Sequence, residues 1–489
     1  MTPRAAIAVA AMAALGVAPA AAHAGDIDLL RAHAGEYRAA ERAAPGVGSP
    51  QGTQASYDRA RDLQERLRAA GSAQRCDALL RALRAYAAAR VLQAEGVDRL
   101  SPGDERTGRA RATRLRGPVA RARAACNPAA GRRSAPPTPV NPVSGQAFLG
   151  TVVARAPAGA RSAVIVSDRG ARVHVPVRRG RARAPVGDWP AGRHDIRIRF
   201  LAGSRTLGAV RVRDAWLLPP GSAAMRPGAA VVPALTGALR RALDGAPRFA
   251  AAWAQDLATG RVGHTNAAAA FPAASTVKLG LAVGVMARLG GAPQRSRHAY
   301  DLRAMLTWSS NLANNRLLRA FGARAATDGL RRLGARSSTF TGEYIVGTEF
   351  QPRPTAGSVT LAPPRVSARV TTVADLARMM ASLHGAAVGA PGRRPTGLTA
   401  NQARLLLGWL LASQQRMENT GLFAGGMPRG TLFAQKNGWL NDARLGAAIA
   451  YTPAGPLLLV LATYDPAGVS PARGRAVGAR VARAAARAR

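Results

Sequence analysis

Phe271-Pro272-Ala273-Ala274-Ser275-Thr276-Val277-Lys278 is the stretch on which the reading of this chain turns. It stands directly before an apolar run, Leu279 to Leu289, that predicts a helix. Positions i and i+3 of a helix project from the same side, so Lys278 falls beside Ser275. There its amine can take the hydroxyl proton, while the positive end of the helix favours negative charge developing on the serine oxygen. A serine three residues before a lysine also describes a capping serine beside a surface lysine. The composition decides between the two. All but two of the 69 basic residues are arginine, and the two lysines are Lys278 and Lys436. Arginine cannot be deprotonated in a protein, whereas a desolvated lysine can serve as a base.

Downstream, Met305-Leu306-Thr307-Trp308-Ser309-Ser310-Asn311 places a Ser-x-Asn group before a second apolar helix. Taken alone it is an N-cap cluster. Further on, Phe433-Ala434-Gln435-Lys436-Asn437-Gly438 predicts an edge strand carrying the other lysine, with a glycine two residues later that lets a ligand approach the backbone closely.

SxxK, then SxN, then KxG, in that order, resembles the penicillin-recognising serine enzymes, and most closely the class A β-lactamase-like branch. The resemblance extends from about Ala234 to Arg489. It includes Ala252-Trp253-Ala254-Gln255-Asp256-Leu257-Ala258-Thr259-Gly260, similar to the family's first strand and turn, and Thr371-Thr372-Val373-Ala374-Asp375-Leu376, similar to a later helix start. It implies that Ser275 is the acylated nucleophile and Lys278 its proton acceptor. Ser309 would relay a proton to the leaving nitrogen, and Asn311 would bind the acyl side chain. Lys436 would hold the substrate carboxylate and tune Ser309. The backbone N–H groups of Ser275 and Trp439 would form the oxyanion hole, with Gly438 leaving room for the substrate and Arg444 supporting its carboxylate from across the strand pair.

The pattern departs from the family in several places. Ser310 stands where this branch has aspartate, which bears on helix capping more than on chemistry, and Asn437 stands where Thr or Ser is usual. The segment between Ser275 and Ser309 is short for the family. The Glu-x-x-Leu-Asn type of sequence, which in class A enzymes carries the deacylating glutamate, is absent; Glu343 and Glu349 are the carboxylates near the expected spacing. With a carboxylate to position water, the acyl-enzyme hydrolyses quickly, as in a β-lactamase. Without one it persists, as in a penicillin-binding D,D-peptidase.

The rest of the chain divides by composition. Residues 1–24 combine a basic start at Arg4, an apolar run and Ala22-His23-Ala24, and read as a secretory signal peptide. Residues 25–126 are rich in Ala, Leu, Arg and Glu at helical spacing, and Ser101-Pro102-Gly103-Asp104 divides them into a helical hairpin. In an oxidising compartment the hairpin would bring Cys76 near Cys126, which makes a disulfide plausible. Residues 127–146 hold Pro136, Pro137, Pro139 and Pro142 and read as a linker. Alternating runs over 147–218 predict a small all-β, sandwich-like domain. Residues 223–489, with strands at both ends and helices between, predict an α+β domain whose terminal segments share one sheet.

The 489 residues carry a formal charge of +43. That much positive charge attracts polyanions. Aromatic residues are only 4% of the chain, so there is little to stack on bases, and anionic cell-envelope polymers are expected rather than nucleic acid. The scattered histidines and the two cysteines form no metal-ligand spacing, and no cofactor is implied. The sequence therefore predicts a three-part, monomeric, secreted or cell-envelope protein acting on a β-lactam or a D-Ala-D-Ala-like peptide. A non-catalytic wall-binding protein is the alternative from another class; against it, a pure carboxylate-binding site has no need for lysine over arginine.

Overall fold

The structure is a computed structural model that describes residues 50–69, 77–98, 101–124, 137–226, 228–340, 342–344, 346, 369–390, 396–413 and 421–489. The expected signal peptide, Cys76, Cys126 and Glu349 lie outside these residues. The chain divides into two units, residues 1–132 and 133–489.

In the first unit three helices are described: α1 (Pro50–Ala69), α2 (Asp77–Asp98) and α3 (Pro102–Ala124). The break at Ser101 falls between α2 and α3. These run antiparallel, with Gly96 against Glu105 and Gly108 against Gln93. The expected hairpin is thus part of a larger group, because α1 adds Leu63 and Leu67 to a core with Leu79, Leu83, Tyr86, Ala112 and Val119.

The second unit begins with eight strands: β1 (Thr138–Asn141), β2 (Ala147–Phe148), β3 (Thr151–Arg155), β4 (Ser162–Ser167), β5 (Arg172–Arg178), β6 (Arg181–Pro185), β7 (Gly192–Ala202) and β8 (Arg205–Leu217). They form one sheet in the order β1-β3-β6-β5-β4-β7-β8-β2. Residues alternate between exterior and a core of Phe148, Ile165, Ile196, Ile198 and Phe200. One boundary needs correction: residues 138–141, assigned to the linker, form β1 on β3. Proline lacks a ladder donor, but β1 is an edge strand, where that loss is tolerated.

The C-terminal domain contains β9 (Ala230–Val231), α4 (Pro233–Ala242), β10 (Phe249–Asp256), β11 (Arg261–Thr265), β12 (Phe271–Pro272), α5 (Lys278–Leu289), α6 (Ala299–Thr307), α7 (Asn311–Phe321), α8 (Ala323–Arg332), β13 (Val370–Thr371), α9 (Val373–Val388), α10 (Ala400–Ala412), β14 (Leu432–Trp439), β15 (Ala443–Thr452), β16 (Gly455–Tyr464) and α11 (Pro471–Ala488). Six strands form a sheet in the order β14-β15-β16-β10-β11-β9. β10 pairs with β16 from Phe249↔Tyr464 to Asp256↔Leu457, so the two ends of the domain share one sheet, as expected. The short β9 is parallel to β11, which makes the sheet mixed. β15 and β16 are buried along their whole length because helices cover both faces. On one face, α4 and α11 contribute Leu235, Leu239, Val477 and Val481 to a core with Phe433, Leu457 and Leu459. On the other, α9 packs on β15, β16 and β10.

Within the helical layer α5 lies tightly against α8. A Cβ at Gly284 would overlap the Ala325 carbonyl, and one at Gly329 would overlap the Gly280 carbonyl. Since α5 opens with Lys278, this contact fixes where the lysine sits. Gly284→Ala is expected to destabilise the domain by about 1–3 kcal/mol, the usual cost of overpacking. The midpoint of denaturant unfolding measures it, and an unchanged midpoint would contradict the packing described.

The β-domain rests on the helical layer in the same unit. Gln146 Nε2 donates to the Asn401 carbonyl at 3.0 Å, Gly145 lies against the Trp409 indole, and the Arg303 guanidinium on α6 donates to Asp214 at 3.3 Å.

Candidate active site

Ser275 lies in a turn three residues before the first residue of α5. The Thr276 amide and hydroxyl both donate to the Ala273 carbonyl, at 3.1 and 2.6 Å, and the Lys278 amide donates to the Ser275 carbonyl at 3.3 Å. Ala274 has φ 46°, in the left-handed region that non-glycine residues avoid. Strain there persists only where the surroundings over-determine the geometry. Three anchors do so. Phe271 and Pro272 pair with Thr371 and Val370, the Ala273 amide donates to the Arg369 carbonyl at 3.0 Å, and the Tyr344 hydroxyl donates to the Ala274 carbonyl at 2.6 Å.

Ser309 sits in the short link between α6 and α7 and has φ 60°. The link is braced by Arg316 on α7, whose Nε lies 3.4 Å from the buried Asp301 carboxylate on α6. Ser310 caps α7, accepting from the Ala313 amide at 3.2 Å. The residue that replaces the family's aspartate therefore does the work of a cap.

The three motifs converge on Ser309. Lys278, fully buried, donates from Nζ to the Ser309 carbonyl and to Asn311 Oδ1, each at 2.6 Å. Lys436 Nζ donates to Ser309 Oγ at 2.8 Å and to the Asn437 carbonyl at 2.9 Å. The serine thus lies between two lysine amines, one on its carbonyl and one on its hydroxyl. In this arrangement Lys436 is the amine placed to give a proton to the Ser309 hydroxyl.

Burial pushes the Lys436 amine down to about 7. Its free-chain value is about 10.4, so between pH 7 and 10.4 the unfolded chain binds more protons than the folded one, and stability rises with pH through that window. Unfolding free energies of the parent and Lys436→Met, measured from pH 7 to 9.5, are expected to change relative to each other by up to about 1.4 kcal/mol per pH unit, in favour of the parent as pH rises. Parallel curves would contradict a desolvated Lys436.

β14 is the edge strand of the sheet, so the N–H groups on its open side have no neighbouring strand to bond to. Gly438 is required there. A Cβ would come within 2.8 Å of the Ala273 carbonyl and 2.9 Å of Thr276 Cγ2, forcing the strand away from the Ser275 turn. Trp439 follows at the end of the strand.

Arg444 is not brought to Lys436. Its register partner is Trp439, and its guanidinium lies 5.0 Å from that indole. Its stem packs near Gly474 of α11, on the face of the sheet where Trp439 joins the core. Alternation along β14 gives Lys436 and Gly438 to one face and Asn437 and Trp439 to the other. Burial lowers the Arg444 pKa, in keeping with a packed residue.

Glu343 is also directed elsewhere: it is partly exposed and pairs with Arg319 at 3.4 Å. The residue facing Lys278 is Tyr344, whose ring centroid lies 4.3 Å from the Lys278 Nζ and 3.9 Å from Arg369 Cζ. Asn315 clamps its backbone, accepting from the Tyr344 amide at 2.8 Å and donating to its carbonyl at 2.7 Å. Burial raises the phenol pKa, so the hydroxyl stays a neutral donor. Sequence reasoning missed Tyr344. The available signal was Asn315, an amide one turn after Asn311 inside an otherwise apolar helix face.

The SxxK, SxN and KxG motifs thus lie on a turn, a helix start and an edge strand of one domain. Residues 291–488 match the family model described as the beta-lactamase enzyme family, so this part of the C-terminal domain is β-lactamase-like. The matched segment carries the second and third motifs. Ser275 and Lys278 lie upstream of it, and Lys278 reaches the second motif through its bonds to Ser309 and Asn311. Similar solved structures include PBP-A (18% identity, 53% of this chain and 98% of that one, TM-score 0.41) and a β-lactamase from Xanthomonas campestris pv. campestris (22%, 51% and 95%, TM-score 0.39). An ancestral class A β-lactamase is also similar (23%, 52% and 99%, TM-score 0.40). No curated protein matches the chain.

Proposed function

We propose that this protein is a serine acyl-transfer enzyme, acting outside the cytoplasm, that is acylated on Ser275 by β-lactams and by the D-Ala-D-Ala-like peptides they resemble. The observation that carries this reading is the position of Ser309, whose carbonyl accepts from Lys278 and whose hydroxyl accepts from Lys436. Lys278 takes the Ser275 proton as the hydroxyl oxygen bonds to the substrate carbonyl. Ser309 passes a proton to the nitrogen that leaves, and Lys436 recharges Ser309 and attracts the substrate carboxylate. The amide N–H of Ser275 and that of Trp439 are the donors proposed for the oxyanion.

Water is the acceptor proposed for the acyl group, and its attack is slow. Beside Lys278 stands the hydrocarbon face of Tyr344, with its hydroxyl committed to the Ala274 carbonyl, and the neighbouring carboxylate of Glu343 is paired with Arg319. A chromogenic cephalosporin followed by both absorbance and intact mass tests the proposal. The expected result is one acyl adduct on Ser275 that accumulates and decays slowly. Rapid turnover with no accumulating adduct would favour an efficient β-lactamase, and absence of both signals would overturn the enzymatic reading.

A further inference from the structure

The acyl-transfer site makes no use of the β-domain, yet one corner of that domain is built against local preference. β5 and β6 are joined by the two-residue turn Arg179-Gly180, with φ 48° and 70°. Such a turn needs positive φ at both positions, and Asn, Asp or Gly normally fills the first. Here it is arginine. The residues closing the turn, Arg178 and Arg181, are directly opposite each other, and Arg181 is also directly opposite Arg155 on β3. Like charges facing across a ladder are unfavourable. Arg183 follows two residues on, on the same face. The Ala156 amide donates to the Gly180 carbonyl at 2.8 Å, which fixes the end of β3 against the turn.

All five side chains are exposed, and none has a hydrogen-bond or ion-pair partner among the described residues. The sole acidic residue between 137 and 187 is Asp168, whose carboxylate accepts from the Asp195 amide at 2.9 Å. No Phe, Tyr or Trp occurs from 149 to 188. A strained turn residue, a repelling row and five arginines with no acidic partner among the described residues all run against the fold's own interest, and agreement between levels fails most often at functional sites.

We infer that the β5–β6 hairpin, with Arg155, Arg178, Arg179, Arg181 and Arg183, is a binding site for a polyanion of closely spaced phosphates that carries no bases. Arginine forks match phosphate oxygens, and the row of three at strand spacing meets successive phosphates of one chain. The absence of aromatic side chains removes the platforms on which nucleobases stack.

The test uses the full chain and end-labelled long-chain polyphosphate, read by fluorescence anisotropy over a range of salt. The triple variant R178Q/R179N/R181Q is compared with R197Q/R199Q/R205Q, which removes the same charge from exposed positions on β7 and β8. The hairpin variant is expected to bind at least about tenfold more weakly, with a log–log salt slope shallower by roughly 2, from about 0.7 per neutralised contact. The other variant is expected to stay within about twofold of the parent. Because R179N places a preferred residue in the turn, the hairpin variant's Tm is expected at or above that of the parent, so lost binding is not lost folding. Equal loss in the two variants would overturn the inference, as would tighter binding of random single-stranded DNA or of anionic phospholipid vesicles than of polyphosphate.

Discussion

Replacing Lys278 by arginine is expected to slow acylation of Ser275 by about 10² to 10⁴-fold, the range that a positioned acid–base group supplies. The substitution keeps the charge and removes the function. Lys278 is fully buried, and its amine is placed by two acceptors at 2.6 Å, the Ser309 carbonyl and Asn311 Oδ1. A guanidinium there stays protonated at every working pH, so it cannot accept the serine proton. It also brings five N–H donors into a space shaped for a compact amine. The rate of adduct formation with a chromogenic cephalosporin, followed by intact mass, measures the effect, with thermal unfolding to show that the variant folds. Near-parental acylation by Lys278→Arg would remove the lysine from the mechanism.

The second large effect is expected at Tyr344 and concerns the opposite half-reaction. Tyr344→Glu puts a carboxylate where the ring now faces Lys278, and a base beside the ester is expected to shorten the life of the acyl adduct by about 10²-fold. Tyr344→Phe keeps the ring and loses only the bond to the Ala274 carbonyl. Its adduct is expected to live as long as the parent's, while acylation slows because the strained turn at Ala274 loses an anchor. Adduct half-life after removal of free substrate separates the two variants. A long-lived adduct in Tyr344→Glu would show that something other than this ring keeps water from the ester.

Much of the site was legible because the chemistry demands lysine in a chain that otherwise uses arginine. Lys278, Ser309, Asn311 and Lys436 stand at motif positions, and the structure brings them into contact. Ser275 lies in the turn that leads into the helix opened by Lys278, and the paired terminal strands followed from the order of strand-like and helical runs. What stayed hidden depends on contacts between distant segments. Tyr344 reaches Lys278 only because Asn315 and Arg369, on separate segments, hold its backbone and its ring. Arg444 reads as a neighbour of Lys436 until the register sets it opposite Trp439, on the other side of the pleat. The linker prolines concealed β1 because the rule against proline in strands does not apply at an edge, and α1 is too polar in sequence to announce the few leucines it buries.

The seating of the β-domain on α6 and α10 limits how the C-terminal domain can be cut down. A fragment begun at Ala223, where the composition changes, would bare the Trp409 indole and the Asn401 carbonyl and leave Arg303 without Asp214. α6 is the helix that delivers Ser309, so what a truncation disturbs at its surface reaches the serine between the two lysines. The smallest fragment with an intact site therefore starts before β1, and the β-strands ahead of the C-terminal domain belong to its scaffold as well as to its surface.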